Sequence, residues 1–574
     1  MSYPVERPAA VPSAPPPDGT QYRPQPSGGP SSSGRRLLGL VLLLPALLAL
    51  TWSYVLPTLS TVLTSLQRTD PLGRNAAEPV GGENYRQVFT DGLAGQVGFA
   101  LLLALLPLAL ALLVAPALAL LADRAGRVAR LVTRGVLALP VAGYAPVALL
   151  LGWREYRLDP AGLAEDPRAA LLGVVAATSF GLVVAVATTA YLSALRRRTP
   201  GLSPGPALLT VAGFLGLGVL AMAIQVHTAP ALLTLGGPEG TTTTPLLHLS
   251  QSGFVRMQFG AAAAVGTLLL VLLGVLGLGA LGLLLATRAR IEFDGWGERP
   301  AAPAPTSAAG AGPGRRGFLA AVGLTLLVFL GLYLWASAPW LRDAAPGAEL
   351  PGDLSTGRVL VNTWLPPLLP ALVSVGLAAL AGFGIGALRP LGRWSELLLL
   401  PFAPWLFVGF GPLVVAHFER TRELDQLDSF LGLTPPSWLC VPALFALTLL
   451  FRGQHGRWQP GDGLGRTLVL PALPMLALAV LLTWLVNAQQ SLWSFAVATD
   501  LQTMPAPLLA QAMASQGPGL PDGLLGLVLP LALVLLLVVA FAALQVGYLD
   551  RLAIRVGRTA AGGEANSSPP AVAG

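Results

Sequence analysis

The segment EFDGWGERPAAPAPTSAAGAGPG, residues 292–314, is a polar run rich in Pro, Ala and Gly inside an otherwise apolar chain. Six long apolar stretches precede it and six follow. Each runs to roughly 20 residues, so that a helix can cross about 30 Å of hydrocarbon while pairing its own backbone N–H and C=O groups. The first six cover 37–56, 97–121, 131–153, 169–191, 207–225 and 261–286; the second six cover 317–336, 364–388, 395–415, 431–451, 468–485 and 524–544. Pro435 and Pro436 interrupt the tenth, which makes it the least regular. The expected fold is an all-α polytopic membrane protein of twelve transmembrane helices. These form two six-helix units, 37–291 and 317–558, joined by a cytoplasmic linker at 292–316 and flanked by disordered tails at 1–36 and 559–574.

Composition supports a lipid environment. The chain has 574 residues, 54% hydrophobic and 11% charged, against about a quarter charged in soluble domains. Its single cysteine, Cys440, excludes an internal disulfide or a cysteine metal site, and no metal or cofactor is expected. His227, His248, His417 and His455 are scattered with no ligand spacing. All 35 basic residues are arginine, and with no lysine the chain cannot hold a phosphate loop of the Gly-x-x-x-x-Gly-Lys type. The net charge of +7 is spread through loops in short clusters, without the basic stripe and interleaved aromatics of a nucleic-acid binder, so no nucleic acid partner is expected.

The arginines instead orient the chain. With the N-terminus inside, 22 fall in inside loops, among them Arg35, Arg124, Arg196 to Arg198, Arg389, Arg452 and Arg551, against 11 outside. The positive-inside bias therefore predicts both termini in the cytoplasm of a multi-pass protein, and the arginine bias points to a GC-rich bacterial source. The apolar run behind Arg35 and Arg36 is of spanning length with no small-residue cleavage site, unlike a signal peptide.

Two outward segments are more specific. Gly82-Glu83-Asn84-Tyr85 follows the first stretch; Leu235-Gly236-Gly237-Pro238 with the threonines 241–244 precedes the sixth, which opens Phe259-Gly260-Ala261-Ala262. In the second half Leu427-Asp428-Ser429-Phe430-Leu431-Gly432-Leu433 and Asp500-Leu501-Gln502-Thr503-Met504-Pro505 occupy matching outward positions. Together these resemble the membrane permeases of bacterial ABC importers for sugars, of the maltose and glycerol-phosphate type, with the two permeases, normally separate chains, fused in one. The resemblance implies two type I permease units, an inward-moving sugar or related small solute, separate ATP-hydrolysing subunits on the cytoplasmic face and an extracellular solute-binding protein. It also implies a permease that is not itself an enzyme. Such permeases carry a Glu-Ala-Ala-x-x-x-Gly loop that docks in the ATPase. Its counterparts here are degenerate: Ala194-Leu195-Arg196-Arg197-Arg198 in the first half, and Asp462-Gly463, Arg466 and Leu470-Pro471 in the second. The second loop is expected to be the stronger ATPase contact, and the arginines of the first to serve mainly topology.

Span interiors carry almost no ionisable residue, unlike a proton- or ion-coupled carrier. The polar candidates for a solute pathway are Gln225, His227 and Thr228 after the fifth stretch, and Asn487, Gln489, Gln490, Ser491 and Trp493 after the eleventh. Amides and hydroxyls suit sugar hydroxyls, and an indole face suits a sugar ring. The same residues also fit a plain membrane interface, Gly81 to Phe89 a surface lip, Gly236 to Pro238 a turn, and the charged run 419–428 a solvated surface. A twelve-span secondary carrier remains an alternative, as does a membrane-embedded transferase using Asp70, Glu78, Glu83 and Asp91.

Overall fold

In a computed structural model the chain is an all-α, multi-pass membrane protein. Residues 32–68, 77–196, 203–295, 313–344, 347, 350–351, 354–455, 463, 465–516 and 519–557 are described. The calls on the tails at 1–31 and 559–574, on Arg197, Arg198, Asp462, Asp70 and on the linker residues 296–312 lie outside them, whereas residues 32–36 of the expected N-terminal tail belong to the helix Ser32–Val41. Among the described residues nine helices are long and apolar enough to cross a membrane: Ser33–Ser65, Leu93–Ala125, Pro167–Leu195, Gly205–Leu233, Phe259–Thr287, Arg315–Arg342, Thr356–Leu388, Thr467–Ala488 and Leu531–Arg551.

The other three apolar stretches break where the sequence forces them to. The third is a pair, Arg127–Ala142 and Pro146–Tyr156, bent by 77°. Pro146 disfavours helical backbone at Ala145, which sits at φ −143°, ψ 72°. The ninth is a chain of 3₁₀ turns, Gly392–Leu399, Ala403–Trp405 and Gly411–Leu413, leading into the helix Val414–Glu423. Pro401, Pro404, Gly409, Gly411 and Pro412 explain why no long α-helix forms there. The tenth is helical only over Val441–His455, after Pro435 and Pro436. Prolines inside the long helices are absorbed more gently: wide π turns at Thr51–Val55 and Leu110–Val114 lie just before Pro57 and Pro116, where the ring would strike the carbonyl four residues back.

The Arg196, Arg389 and Arg452 ion pairs mark an arginine-rich end, and the Asn84, Gly236 and Asp428 motifs lie at another end of the helices. Three apolar clusters fill the interior. One joins the second, third and fourth stretches to residues of the seventh and twelfth, such as Val322, Phe329 and Phe541. A second joins the eighth, ninth and tenth to residues of the first and sixth, such as Leu50, Tyr54 and Leu273. Each cluster thus takes the middle stretches of one half and the first and last stretch of the other. A third lies under the outward motifs, around Phe259, Val414 and Trp493.

The exchanged helices approach through small residues. A Cβ on Gly39 would meet the Gly384 carbonyl at 3.2 Å, so the first and eighth helices touch backbone to backbone. Gly266 and Gly277 of the sixth helix face the Pro412 and Ala403 carbonyls, seating the irregular ninth stretch on that helix. Among the described residues four short strands complete the fold. β1 (Gln67–Arg68) pairs with β2 (Glu78–Pro79), and β3 (Arg290–Phe293) pairs antiparallel with β4 (Leu552–Arg555) in the register Ile291 to Ile554. β3 follows the sixth helix and β4 the twelfth, so the two halves are tied strand to strand at the arginine-rich end. The first four residues of the expected linker, 292–295, therefore belong to the folded unit.

Candidate functional site

At the motif end, segments far apart in sequence meet. Asn84 Nδ2 donates to the Ser65 and Gln67 carbonyls, both at 2.9 Å, and Tyr85 OH lies 2.7 Å from Ser65 Oγ. Gly260 packs on this junction; a Cβ there would strike the Gln67 carbonyl and come within 2.7 Å of Asn84 Nδ2. Glu83, by contrast, pairs only with Arg86 on the surface, at 3.0 Å. Gly236, at φ +87°, opens the turn in which the threonine run is consumed. Thr243 Oγ1 donates to the Gly236 carbonyl at 3.3 Å, Thr242 Oγ1 to that of Gly237 at 3.0 Å, and Thr241 Oγ1 to that of Pro238 at 2.8 Å. The Gly236 and Pro238 carbonyls also accept from Thr242 N and Thr241 N, so the hydroxyls add second bonds there and satisfy the Gly237 carbonyl.

The second-half motifs are joined by one carboxylate. Asp428, at φ +52°, accepts from Thr499 N and Oγ1 at 2.6 Å each, Asp500 N at 2.8 Å and Thr503 Oγ1 at 3.1 Å. Partial burial alone would raise its pKa, but these hydrogen bonds outweigh it and hold the carboxyl below the ordinary range. Asp428 thus fastens the 427–433 segment to the 499–503 loop. In the adjoining helix His417 is buried with its ring edge-on to Trp493, centroids 6.3 Å apart.

The pathway candidates divide into engaged and unengaged groups. Gln225 bridges to the ninth stretch: its Nε2 donates to the Phe407 carbonyl at 2.9 Å and its Oε1 accepts from Gly409 N at 2.9 Å. Trp493 is buried, its indole N–H donating to the Gly432 carbonyl at 3.1 Å. Gln490 contributes its carbonyl to Ser494 Oγ, Ser491 is buried, and Thr228 starts a short helix, Thr228–Leu233. Three buried atoms lack a partner: His227 Nδ1, Asn487 Nδ2 and Gln489 Oε1. The other side of each ring or amide is anchored for His227, by Ser250 Oγ at 3.1 Å, and for Gln489, by the Val528 carbonyl at 3.0 Å. Unpaired buried donors and acceptors are costly unless water or a ligand completes them. The two sets do not form one continuous contact; the ninth stretch touches both, at Phe407 to Gly409 and again at His417.

The fifth and eleventh helices, which carry these residues at their ends, occupy the seam between the first two clusters. Leu215 and Val219 pack on one cluster and Phe214 and Leu217 on the other; Leu478 packs on both. The two helices do not pack along each other.

The arginine-rich end holds a second set of groups. Arg196 Nε lies 2.9 Å from Asp294 and its Nη1 3.4 Å from Asp550. Arg134, 1% exposed, lies 3.5 Å from Asp550 and bonds Ser193 Oγ at 3.2 Å, and Arg130 spans Asp123 and Asp550. The ion pairs of Arg196 link the fourth helix to the segments after the sixth and twelfth. Ala194 is buried beside it. In the second half Glu396 lies 3.2 Å from Arg389 and 3.0 Å from Arg452. Arg134 and Glu396 fall within apolar stretches, and sequence reading missed them because their partners lie in other stretches; a lone charge in an apolar run was the available signal. Of the second loop, Gly463 is exposed, Arg466 lies in the π turn Gly465–Val469 with its side chain outside the description, and the Pro471 carbonyl accepts from Tyr548 OH at 2.8 Å. Among the described residues no three His, Cys, Asp or Glu side chains converge as a metal site requires. Compared with known proteins, the chain matches no family model and no curated sequence.

Proposed function

We propose that the chain is the membrane-spanning part of an importer, both permease halves in one polypeptide. It moves a small solute inward across a bacterial cytoplasmic membrane, with both termini cytoplasmic and separate ATP-hydrolysing subunits driving it from the arginine-rich face. An extracellular solute-binding protein delivers the solute to the motif end, and the chain itself hydrolyses nothing. On this reading the third, ninth and tenth stretches also cross, giving twelve spans in two units.

The observation that supports the reading most is the exchange of helices between clusters. Two bodies, each built from the second to fourth stretches of one half and the first and last of the other, meet along the fifth and eleventh helices. Such bodies can rock about a seam and open it to either side, as alternating access requires. The unengaged atoms of His227, Asn487 and Gln489 lie at the ends of those two helices. The β3–β4 pairing and the Asp550 ion pairs give the arginine-rich face a structured platform for a driving subunit. The test is affinity purification of the full chain from native membranes: ATPase subunits should be recovered, and the chain alone should hydrolyse no ATP. Uptake driven by a proton gradient in vesicles lacking any ATPase would overturn the reading.

A further inference from the structure

The first helix borders a groove that opens to the bilayer. Residues 37–50 of that helix carry no polar side chain, whereas Thr58, Ser60, Thr61, Thr64 and Ser65 crowd its last turns. The hydrocarbon layer therefore ends, on the motif side, near Trp52 and Leu56, where an interfacial indole belongs. Across these depths a groove of about 470 Å³ runs between Pro45, Leu48, Ala49 and Trp52 on one side and Leu377 and Trp438 on the other. Its walls are held together: Ser53 Oγ accepts from Trp438 N at 3.0 Å, and Tyr54 OH donates to the Leu439 carbonyl at 3.1 Å. Leu48 is 72% exposed at hydrocarbon depth, so acyl chains are what the groove meets. The helix from Pro45 to Leu56 rises about 16 Å, close to one leaflet of a roughly 30 Å core.

A positive charge stands at the headgroup end. Arg420, in the helix Val414–Glu423, lays its guanidinium on the Trp52 ring, 3.2 Å from the ring centroid, and its Nη1 donates to the Trp52 carbonyl at 3.5 Å. Among the described residues no carboxylate forms an ion pair with it, and Glu423 attracts it only from farther away. A guanidinium offers five N–H donors in a planar fork that matches a phosphate, and stacking on an indole fixes that plane. An apolar groove one leaflet deep, ending at an unpaired guanidinium, is complementary to a molecule of the bilayer itself. We infer that the groove is a binding site for an anionic phospholipid in the leaflet at the motif end, one acyl chain against Leu48, Leu377 and Trp438 and the phosphate on Arg420. A zwitterionic headgroup brings its own cation and gains less from the arginine. The inference goes beyond the importer reading and needs only that the first helix crosses the membrane.

The test is native mass spectrometry of the full chain released from nanodiscs of equal phosphatidylglycerol and phosphatidylcholine. The most tightly held lipid should be phosphatidylglycerol, preferred about tenfold, as one set of hydrogen bonds to a charged group implies. Arg420→Gln should abolish that preference, and Leu377→Trp, which fills the groove, should release the lipid. Arg422→Gln removes the same charge from the same helix, but Arg422 lies over Phe418 and not over Trp52, so the lipid should stay. Variants in two separate helices guard against one that misfolds, and the preference of the unmodified chain needs no variant at all. Equal retention of the two lipids, an equal loss in Arg422→Gln, or unchanged retention in Arg420→Gln or Leu377→Trp would each overturn the inference.

Discussion

Gly260 shows how a single residue joins two motifs. It lies against the Gln67 carbonyl and Asn84 Nδ2, both held in place, so Gly260→Ala must displace backbone and should destabilise the fold by about 1–3 kcal/mol. Thermal unfolding in detergent would read this, and an unchanged midpoint would contradict the packing. Asp428→Asn should lose about 1 kcal/mol, because an amide cannot accept all four hydrogen bonds and the half-buried site is still partly screened by water. At this scale the sequence revealed which segments were unusual, Glu83-Asn84-Tyr85 and the threonine run among them. It did not reveal their partners: Asn84 and Gly260 are brought together only by folding.

At the scale of elements, nine of the twelve apolar stretches form long helices because length and hydropathy alone decide that outcome. The rest depended on local backbone chemistry. Pro435 and Pro436 flagged the tenth stretch, but the five Pro and Gly residues between 401 and 412 were read through as a span, and only the carbonyl-facing Gly266 and Gly277 of the sixth helix explain how so irregular a segment is held. The β3–β4 ladder was hidden because its strands are four residues long and far apart in sequence. It makes a clean prediction. Ile291 and Ile554 are register partners, and Cα atoms directly opposite in an antiparallel pair lie about 4.5–5.5 Å apart, within disulfide range. An Ile291→Cys, Ile554→Cys double variant should oxidise to an internal crosslink, seen as a mobility shift reversed by reductant. Cys440 is distant from both and should not interfere; failure to crosslink would argue against the pairing.

For the whole molecule, the arginine bias and the exchange of first and last helices lead to one architecture by different routes. The first is visible in the sequence because each arginine reports its own side. The second is invisible there, since which helices share a core depends on close contacts such as Gly39 with Gly384. Reporters fused after Glu239 and Asp428 should read outside and those after Arg198 and Arg466 cytoplasmic; reversal of either pair would overturn the two-unit layout. The central claim, that two exchanged bodies form a passage driven from outside the chain, is tested most directly by uptake in sealed vesicles containing the full chain with and without the ATPase subunits that co-purify with it. The account predicts uptake only with those subunits and ATP, and none from a proton gradient alone. Uptake driven by a proton gradient in their absence would contradict it.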